Sequence, residues 1–132
     1  MHIISKVNNK ERFLNLRPHY KLVRDLSFFE NDSKLLTASD DGSVKLIDIS
    51  SEKVVQIFEG HKAGVTSVNS YEKEGSVFLT TSFDKTVKIW DLRSRSCVGT
   101  AITGSPLWDC KPVGTKVLAG GDNGILFVYS ME

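Results

Sequence analysis

Side chains in the middle of the chain have the chemical types of a nucleophilic catalytic site. His61 supplies an imidazole base, and Asp84 supplies a carboxylate. Among the hydroxyl residues between them in sequence are Thr80 and Ser82. In a Ser-His-Asp site the imidazole takes the proton of the attacking hydroxyl, and the carboxylate orients the imidazole. The sequence therefore raises a hydrolase hypothesis with His61 and Asp84 as the catalytic pair, although it contains no Gly-x-Ser-x-Gly turn.

The same residue types recur at a fixed spacing. A Gly-His pair ends at His61, and a Trp-Asp pair ends at Asp91. His19 precedes His61 by 42 residues, and Asp48 precedes Asp91 by 43 residues. A period in the low forties that carries these two pairs is typical of propeller repeats with four strands each. A repeated structural unit explains the spacing without a substrate, so a structural role is favoured over catalysis.

On these residues the chain resembles the WD-repeat family. In that family the His of the Gly-His loop, a Ser or Thr of an inner strand, the Asp of a tight turn and the Trp form a hydrogen-bonded tetrad. The resemblance implies a complete tetrad in the second unit and three of its members in the first: His61, Thr80, Asp84 and Trp90, then His19, Thr37 and Asp41. Ile47 stands where the first unit would have its Trp.

The third unit has lost this set. Gly104 lies near the place of the His, and Ala119 replaces the hydroxyl residue. Asn123 replaces the Asp, and Tyr129 replaces the Trp. We therefore expect the third unit to hold its strands together without a tetrad.

The fold predicted to position these residues is all-β. We expect a strand or tail at 1–10, followed over 11–132 by about three four-stranded antiparallel propeller blades at 11–49, 53–92 and 96–131, each beginning with an outer strand. No stretch has ten or more residues with helical apolar spacing. Closed propellers have about four to eight blades. The ring is therefore incomplete unless the chain self-associates or belongs to a longer chain.

The resemblance also implies a partner-binding surface on the narrow top face, where loops and tight turns emerge beside the tetrad. Six candidate contact residues follow from their places next to tetrad positions: Tyr20, Asp40, Lys62, Phe83, Trp108 and Asp122. Phe83 is an aromatic residue in a tight turn, which favours a hot-spot contact. The alternative is that its ring folds back on its own blade.

Composition argues against several other functions. The formal net charge is +1, so no strong field favours nucleic acid or a membrane as partner. No apolar run approaches the roughly 18 residues of a membrane span, and the amino terminus has no signal-peptide pattern, which predicts a cytoplasmic or nuclear location. The three histidines and two cysteines lack metal-ligand spacing. We expect no metal and no cofactor.

The function implied is a non-enzymatic scaffold for other proteins or peptides. The order of features from Ser82 to Trp90, then Trp108 and Tyr129, resembles the last three blades of the WD-repeat subunit shared by the superkiller and polymerase-associated-factor complexes. The core scaffold of histone methyltransferases is a near rival. That resemblance implies a place in an RNA-decay or transcription-associated complex. The alternatives are a substrate-recognition module of a ubiquitin ligase and, third, the hydrolase.

Overall fold

The computed structural model describes residues 2–7, 10–29, 33–71 and 75–131, with the backbone alone for 2–7, 10–15 and 123. Within these ranges it has thirteen strands and no α-helix, which confirms the all-β prediction. The strands are β1 His2–Val7, β2 Lys10–Asn15, β3 Val23–Phe29, β4 Lys34–Ser39, β5 Ser43–Asp48, β6 Lys53–Glu59, β7 Val65–Ser70, β8 Val77–Ser82, β9 Thr86–Asp91, β10 Ser96–Ile102, β11 Leu107–Val113, β12 Lys116–Gly121 and β13 Leu126–Ser130. Of the strand or tail predicted at 1–10, residues 1, 8 and 9 lie outside the described residues.

The strands form antiparallel sheets that are offset from the sequence units by one strand. β3–β6 form the first four-stranded sheet, and β7–β10 form the second. β11–β13 form a three-stranded third sheet, while β1 and β2 pair with each other. The outer strand that opens each later unit therefore pairs back onto the preceding sheet, β6 onto β5 and β10 onto β9.

Tight turns join the two strands that carry the tetrad residues of each sheet. In the first sheet Gly42 closes the turn with φ +86°, a left-handed conformation that costs glycine little. Lys85 takes the corresponding place in the second sheet with φ 72°. The innermost strands share another feature, a register shift next to Asp25, Ser67 and Asp109.

The hydrophobic core lies in two layers between successive sheets. In β8 the alternating side chains serve both layers, because Phe78 packs toward the first sheet and Leu79 toward the third. Phe58 of the outer strand β6 meets Phe78 and Trp90 edge-on, with ring centroids 4.9 and 5.8 Å apart. The second sheet is therefore buried on both faces.

The third sheet keeps an apolar face open. Leu126 is 65% exposed and Val128 is 59% exposed. Their β13 positions correspond to Val87 and Ile89 of β9, which are covered by the third sheet. Among the described strands β13 pairs with β12 alone, so this sheet lacks the fourth strand that the first and second sheets have.

None of the helices in the described residues is long and apolar enough to cross a membrane.

Candidate functional site

The second sheet contains a chain of hydrogen bonds that begins at a buried tryptophan. The indole Nε1–H of Trp90 donates to Oγ1 of Thr80 over 2.8 Å. Thr80 Oγ1 lies 2.6 Å from Nε2 of His61, and His61 Nδ1 lies 2.8 Å from Oδ2 of Asp84. The structure thus brings the four residues of the second unit together, although they come from β8, β9, the tight turn and the loop before β7.

The positions of the protons in this hydrogen-bond network follow from which atoms can donate and which can only accept. A carboxylate only accepts, so Nδ1 of His61 carries the proton that is shared with Asp84. Burial lowers the pKa of His61 below its ordinary value of 6.5, against the opposing effect of Asp84, and the ring is therefore neutral at pH 7. Nε2 then accepts the Thr80 hydroxyl proton, and the Thr80 oxygen accepts from Trp90.

Asp84 also organises the tight turn in which it lies. Its Oδ1 accepts the backbone N–H of Thr86 at 3.0 Å and the Thr86 hydroxyl at 2.5 Å. Its Oδ2 accepts the backbone N–H of Lys62 at 3.0 Å, which ties the loop to the turn. Burial alone would raise the pKa of Asp84, but the hydrogen bonds from Thr86 and His61 hold that pKa below its ordinary value.

The geometry of the Asp84, His61 and Thr80 side chains is that of a catalytic triad, but the triad is sealed. Thr80 is completely buried, and the His61 side chain is only 1% exposed. Trp90 donates to one lone pair of the Thr80 hydroxyl, and His61 accepts its proton. Nucleophilic attack requires contact between the hydroxyl oxygen and a substrate carbonyl. The Thr80 oxygen is enclosed by protein, which favours the structural role.

The first sheet repeats the arrangement without the tryptophan. His19 lies 2.8 Å from Asp41 through Nδ1 and 2.7 Å from Thr37 through Nε2. Burial lowers the pKa of His19 as it does for His61. Ile47 is buried at the Trp place, and the carbonyl oxygen of Lys45 lies 3.4 Å from Thr37 Oγ1.

The third sheet holds its corresponding loop by other contacts. Ser105 Oγ accepts the backbone N–H of Asp122 at 3.1 Å, and Thr103 donates its backbone N–H to the Lys85 carbonyl at 2.8 Å. Ala119 is buried where the hydroxyl residue would be, and Tyr129 is 40% exposed. The Asn123 side chain lies outside the described part of the chain.

Above the buried hydrogen bonds, four side chains from all three sheets form one continuous strip. Arg24 of β3 holds the Asp40 carboxylate through Nε at 2.7 Å and Nη2 at 2.9 Å. The Arg24 guanidinium also lies 5.5 Å from the centroid of the Phe83 ring. Phe83 meets Trp108 edge-on, with centroids 4.9 Å apart. Phe83 therefore lies between neighbouring sheets, which neither of our two sequence interpretations described.

Beyond Trp108 the strip ends at an acidic residue, Asp122. The Trp108 indole N–H donates to Oδ1 of Asp122 at 2.5 Å, and the Trp108 side chain is 51% exposed. Hereafter "the top strip" means Arg24, Asp40, Phe83, Trp108 and Asp122. The remaining candidates lie in the His loops: Tyr20 is 82% exposed, and Lys62 is exposed.

No set of three or more His, Cys, Asp or Glu side chains within the described residues is grouped to hold a metal ion. Cys110 is buried, which raises the pKa of its thiol to about 11, and Cys97 is half-buried.

The family of this chain follows from its match to a protein-family model. The model of the WD domain, G-beta repeat, matches residues 10–48 and 52–91, which together are more than half of the chain. This chain belongs to the WD40 family. The matched ranges contain both histidine-centred networks, whereas the third sheet lies beyond them.

Known WD40 relatives include subunits of several complexes. The chain is 34% identical over 82 residues to the Set1 complex component swd2 of Schizosaccharomyces pombe, covering 61% of the chain and 23% of that protein. It is 43% identical over 68 residues to the target of rapamycin complex subunit LST8 of Saccharomyces cerevisiae, covering 50% and 22%. It is 39% identical over 87 residues to the DDB1- and CUL4-associated factor 11 homolog of Caenorhabditis briggsae, covering 61% and 16%. These matches span less than a quarter of each relative's length.

Two positions that shape the top strip of this WD40 chain were not found from the sequence. Arg24 pairs with Asp40 and stacks on Phe83, yet a single arginine in a strand carries no local motif. The repeat spacing could have found it, because the 42-residue step that relates His19 to His61 also relates Arg24 to Thr66 and Thr66 to Trp108. The second position is Gly64, whose role depends on a contact between sheets.

We expect Gly64→Ala to weaken the contact between the first two sheets. A Cβ at Gly64 would lie 2.8 Å from Oδ1 and 3.2 Å from Cα of Asp40. Overpacking of this kind costs about 1–3 kcal/mol. Denaturant unfolding should show that loss, while the control Gly104→Ala should change little because nothing lies within 4 Å of its added Cβ. Equal stability of the two variants would contradict this account of the top strip.

The two buried histidines predict a loss of stability on mild acidification. Their folded-state pKa values lie below the 6.5 of an unfolded chain, so the unfolded chain binds more protons as pH falls. The stability that neutral His19 and His61 provide is complete above about pH 6.5 and decreases below it. Denaturant unfolding at pH 7.5 and 5.5 should show this decrease. His61→Gln should show a smaller decrease, and an identical pH dependence in that variant would rule His61 out as a source.

Proposed function

We propose that this WD40 chain is a non-enzymatic scaffold that binds peptide segments of other proteins on its top face. The observation that carries the proposal is the top strip, a preformed surface that crosses all three sheets. Its charged and polar groups already hold one another in place, through Arg24 on Asp40 and Trp108 on Asp122. A partner therefore meets a surface whose side chains need little further ordering, which favours affinity.

The exposed aromatic residues support the same proposal. Trp108 of the strip and Tyr20 of the first His loop present large rings to solvent. Tryptophan, tyrosine and arginine are the residue types most enriched at interface hot spots. Tyr20, Lys62 and the strip residues are therefore our proposed partner contacts.

Relatives give the biological setting of the proposal. Two are named as components of complexes, the Set1 complex and the target of rapamycin complex. We propose a similar place for this chain, as a subunit of a nuclear or cytoplasmic complex associated with transcription or RNA decay. We propose no direct contact with nucleic acid or membrane, since the net charge is only +1.

A second candidate function is the recognition of substrates for a ubiquitin ligase. One observation favours it, the 39% identity to a relative named for its association with DDB1 and CUL4. Both candidates use the top strip to hold a protein, and they differ in the complex that co-purifies with it.

We expect Trp108→Ala to reduce partner binding while the fold persists, because it removes the most exposed ring of the top strip. Quantitative co-purification of the tagged variants measures the change, and the melting temperature checks the fold. The matched control is Val55→Ala on the outermost strand β6, which is 51% exposed like Trp108. Equal partner recovery from the two variants would contradict binding at the strip.

We also propose that a second copy of the chain covers the open apolar face of the third sheet. Leu126 and Val128 occupy positions that are covered in the second sheet, and β13 has an edge that can accept a strand. Such a strand edge is a ready template for pairing with another chain. Light scattering should give at least twice 14.7 kDa for the wild type and a smaller mass for Val128→Glu. A wild-type mass of 14.7 kDa would reject self-association.

A further inference from the structure

The top strip contains an internal example of how this surface binds a cation. The Arg24 guanidinium is held by the Asp40 carboxylate on one side and lies over the Phe83 ring on another. The hydrogen bond from Arg24 lowers the pKa of Asp40, so the Asp40 carboxylate stays charged. A carboxylate and an aromatic ring together therefore already fix one guanidinium on this face.

The third sheet offers the same two partners without the cation. Asp122 directly follows β12, as Asp40 directly follows β4, so the two carboxylates occupy equivalent turn positions. Trp108 stands where Arg24 stands in the first sheet and supplies the aromatic ring. Oδ1 of Asp122 accepts the Trp108 N–H, whereas Oδ2 accepts no hydrogen bond from the described residues. Nor does any lysine or arginine among those residues pair with Asp122.

The exposed part of Trp108 suits a positive charge. Its only polar atom, the indole N–H, is already bound to Asp122, and one contact of the ring is taken by Phe83. Trp108 is half exposed, so its apolar ring is accessible to a partner, and the face of an indole has a negative potential that attracts cations. Tryptophan is the best of the aromatic side chains for this interaction.

We propose that an arginine side chain of the partner peptide stacks on the exposed face of Trp108 with its charge directed at Oδ2 of Asp122. Arginine fits better than lysine because its planar guanidinium can stack on the indole and bind the carboxylate at once. This inference rests on the proposed function, since it names the partner chemistry that the top strip selects. It also assigns Asp122 two tasks, orientation of the indole and neutralisation of the incoming charge.

The chain contains its own internal control for a binding test. It has two tryptophans, Trp90 and Trp108, and Trp90 is only 1% exposed. In proton–nitrogen NMR spectra each gives one indole N–H signal. We expect the capped peptide acetyl-Gly-Gly-Arg-Gly-Gly-amide to shift the Trp108 signal saturably and to leave the Trp90 signal in place. A peptide with citrulline instead of arginine keeps the length without the charge, and one with norleucine keeps only an aliphatic side chain. Both should shift the Trp108 signal much less.

Asp122→Asn isolates the contribution of the charge. Asparagine keeps a carbonyl oxygen that can accept the Trp108 N–H, so the ring keeps its orientation, but the negative charge is removed. We expect the arginine peptide to bind about threefold more weakly, the scale of an exposed ion pair. Val55→Ala, far from the strip on β6, should bind it as the wild type does. Equal affinity in Asp122→Asn would overturn the pairing with Asp122.

The outcomes separate this inference from the function on which it rests. Equal shifts with the arginine and norleucine peptides would show apolar contact and reject the cation site, while binding at the strip would stand. The absence of any Trp108 shift would also reject the cation site, and the co-purification of Trp108→Ala would then decide the scaffold proposal independently. A saturable, charge-dependent shift that weakens in Asp122→Asn supports the inference.

Discussion

The structure depends on one buried donor, the indole N–H of Trp90. The ring fills the space between the first two sheets, where it lies nearly parallel to Phe78 with centroids 6.0 Å apart. A buried N–H without an acceptor costs about 1–3 kcal/mol. Thr80 accepts this proton, and its own hydroxyl then needs an acceptor, which His61 provides only when its other nitrogen is protonated. The Asp84 carboxylate fixes that tautomer.

This constraint reaches the surface through the tight turn. Asp84 holds the backbone N–H groups of Thr86 and Lys62, so the buried network also sets the position of the turn residue before it, Phe83. Phe83 in turn contacts Arg24 on one side and Trp108 on the other. The residues that seal the hydroxyl from any substrate therefore also position the exposed strip that we propose as a binding surface. A single set of contacts stabilises the sheet and arranges its top face.

Most residues of the buried hydrogen-bond network could be predicted from the sequence, whereas the contacts between sheets could not. The tetrad was predictable because four distinctive residue types recur at a fixed period, and strands such as β9 were predictable from the alternation of Val87 and Ile89 with Lys88 and Trp90. The pairing of β6 with β5 and of β10 with β9 joins strands that are adjacent in sequence. The repeat pattern marks where a unit begins, but it does not specify which sheet the outer strand of that unit joins. Arg24 and Gly64 matter through contacts between sheets, so their residue types alone carried no signal.

The third sheet shows what replaces the network when its residues are absent. A tetrad lets a sheet hold its own loop and turn, as His61 and Asp84 do in the second sheet. In the third sheet Ser105 still joins the loop to the turn, and the loop is also bound to the second sheet. Thr103 donates its backbone N–H to the Lys85 carbonyl, and the Leu107 carbonyl accepts a hydrogen bond from Thr66. Its core side chains likewise pack on Leu79 and neighbouring residues of the second sheet. The third sheet is therefore held in place largely by its contacts with the second sheet. Trp108 is positioned in turn by a surface that the buried Trp90 network stabilises.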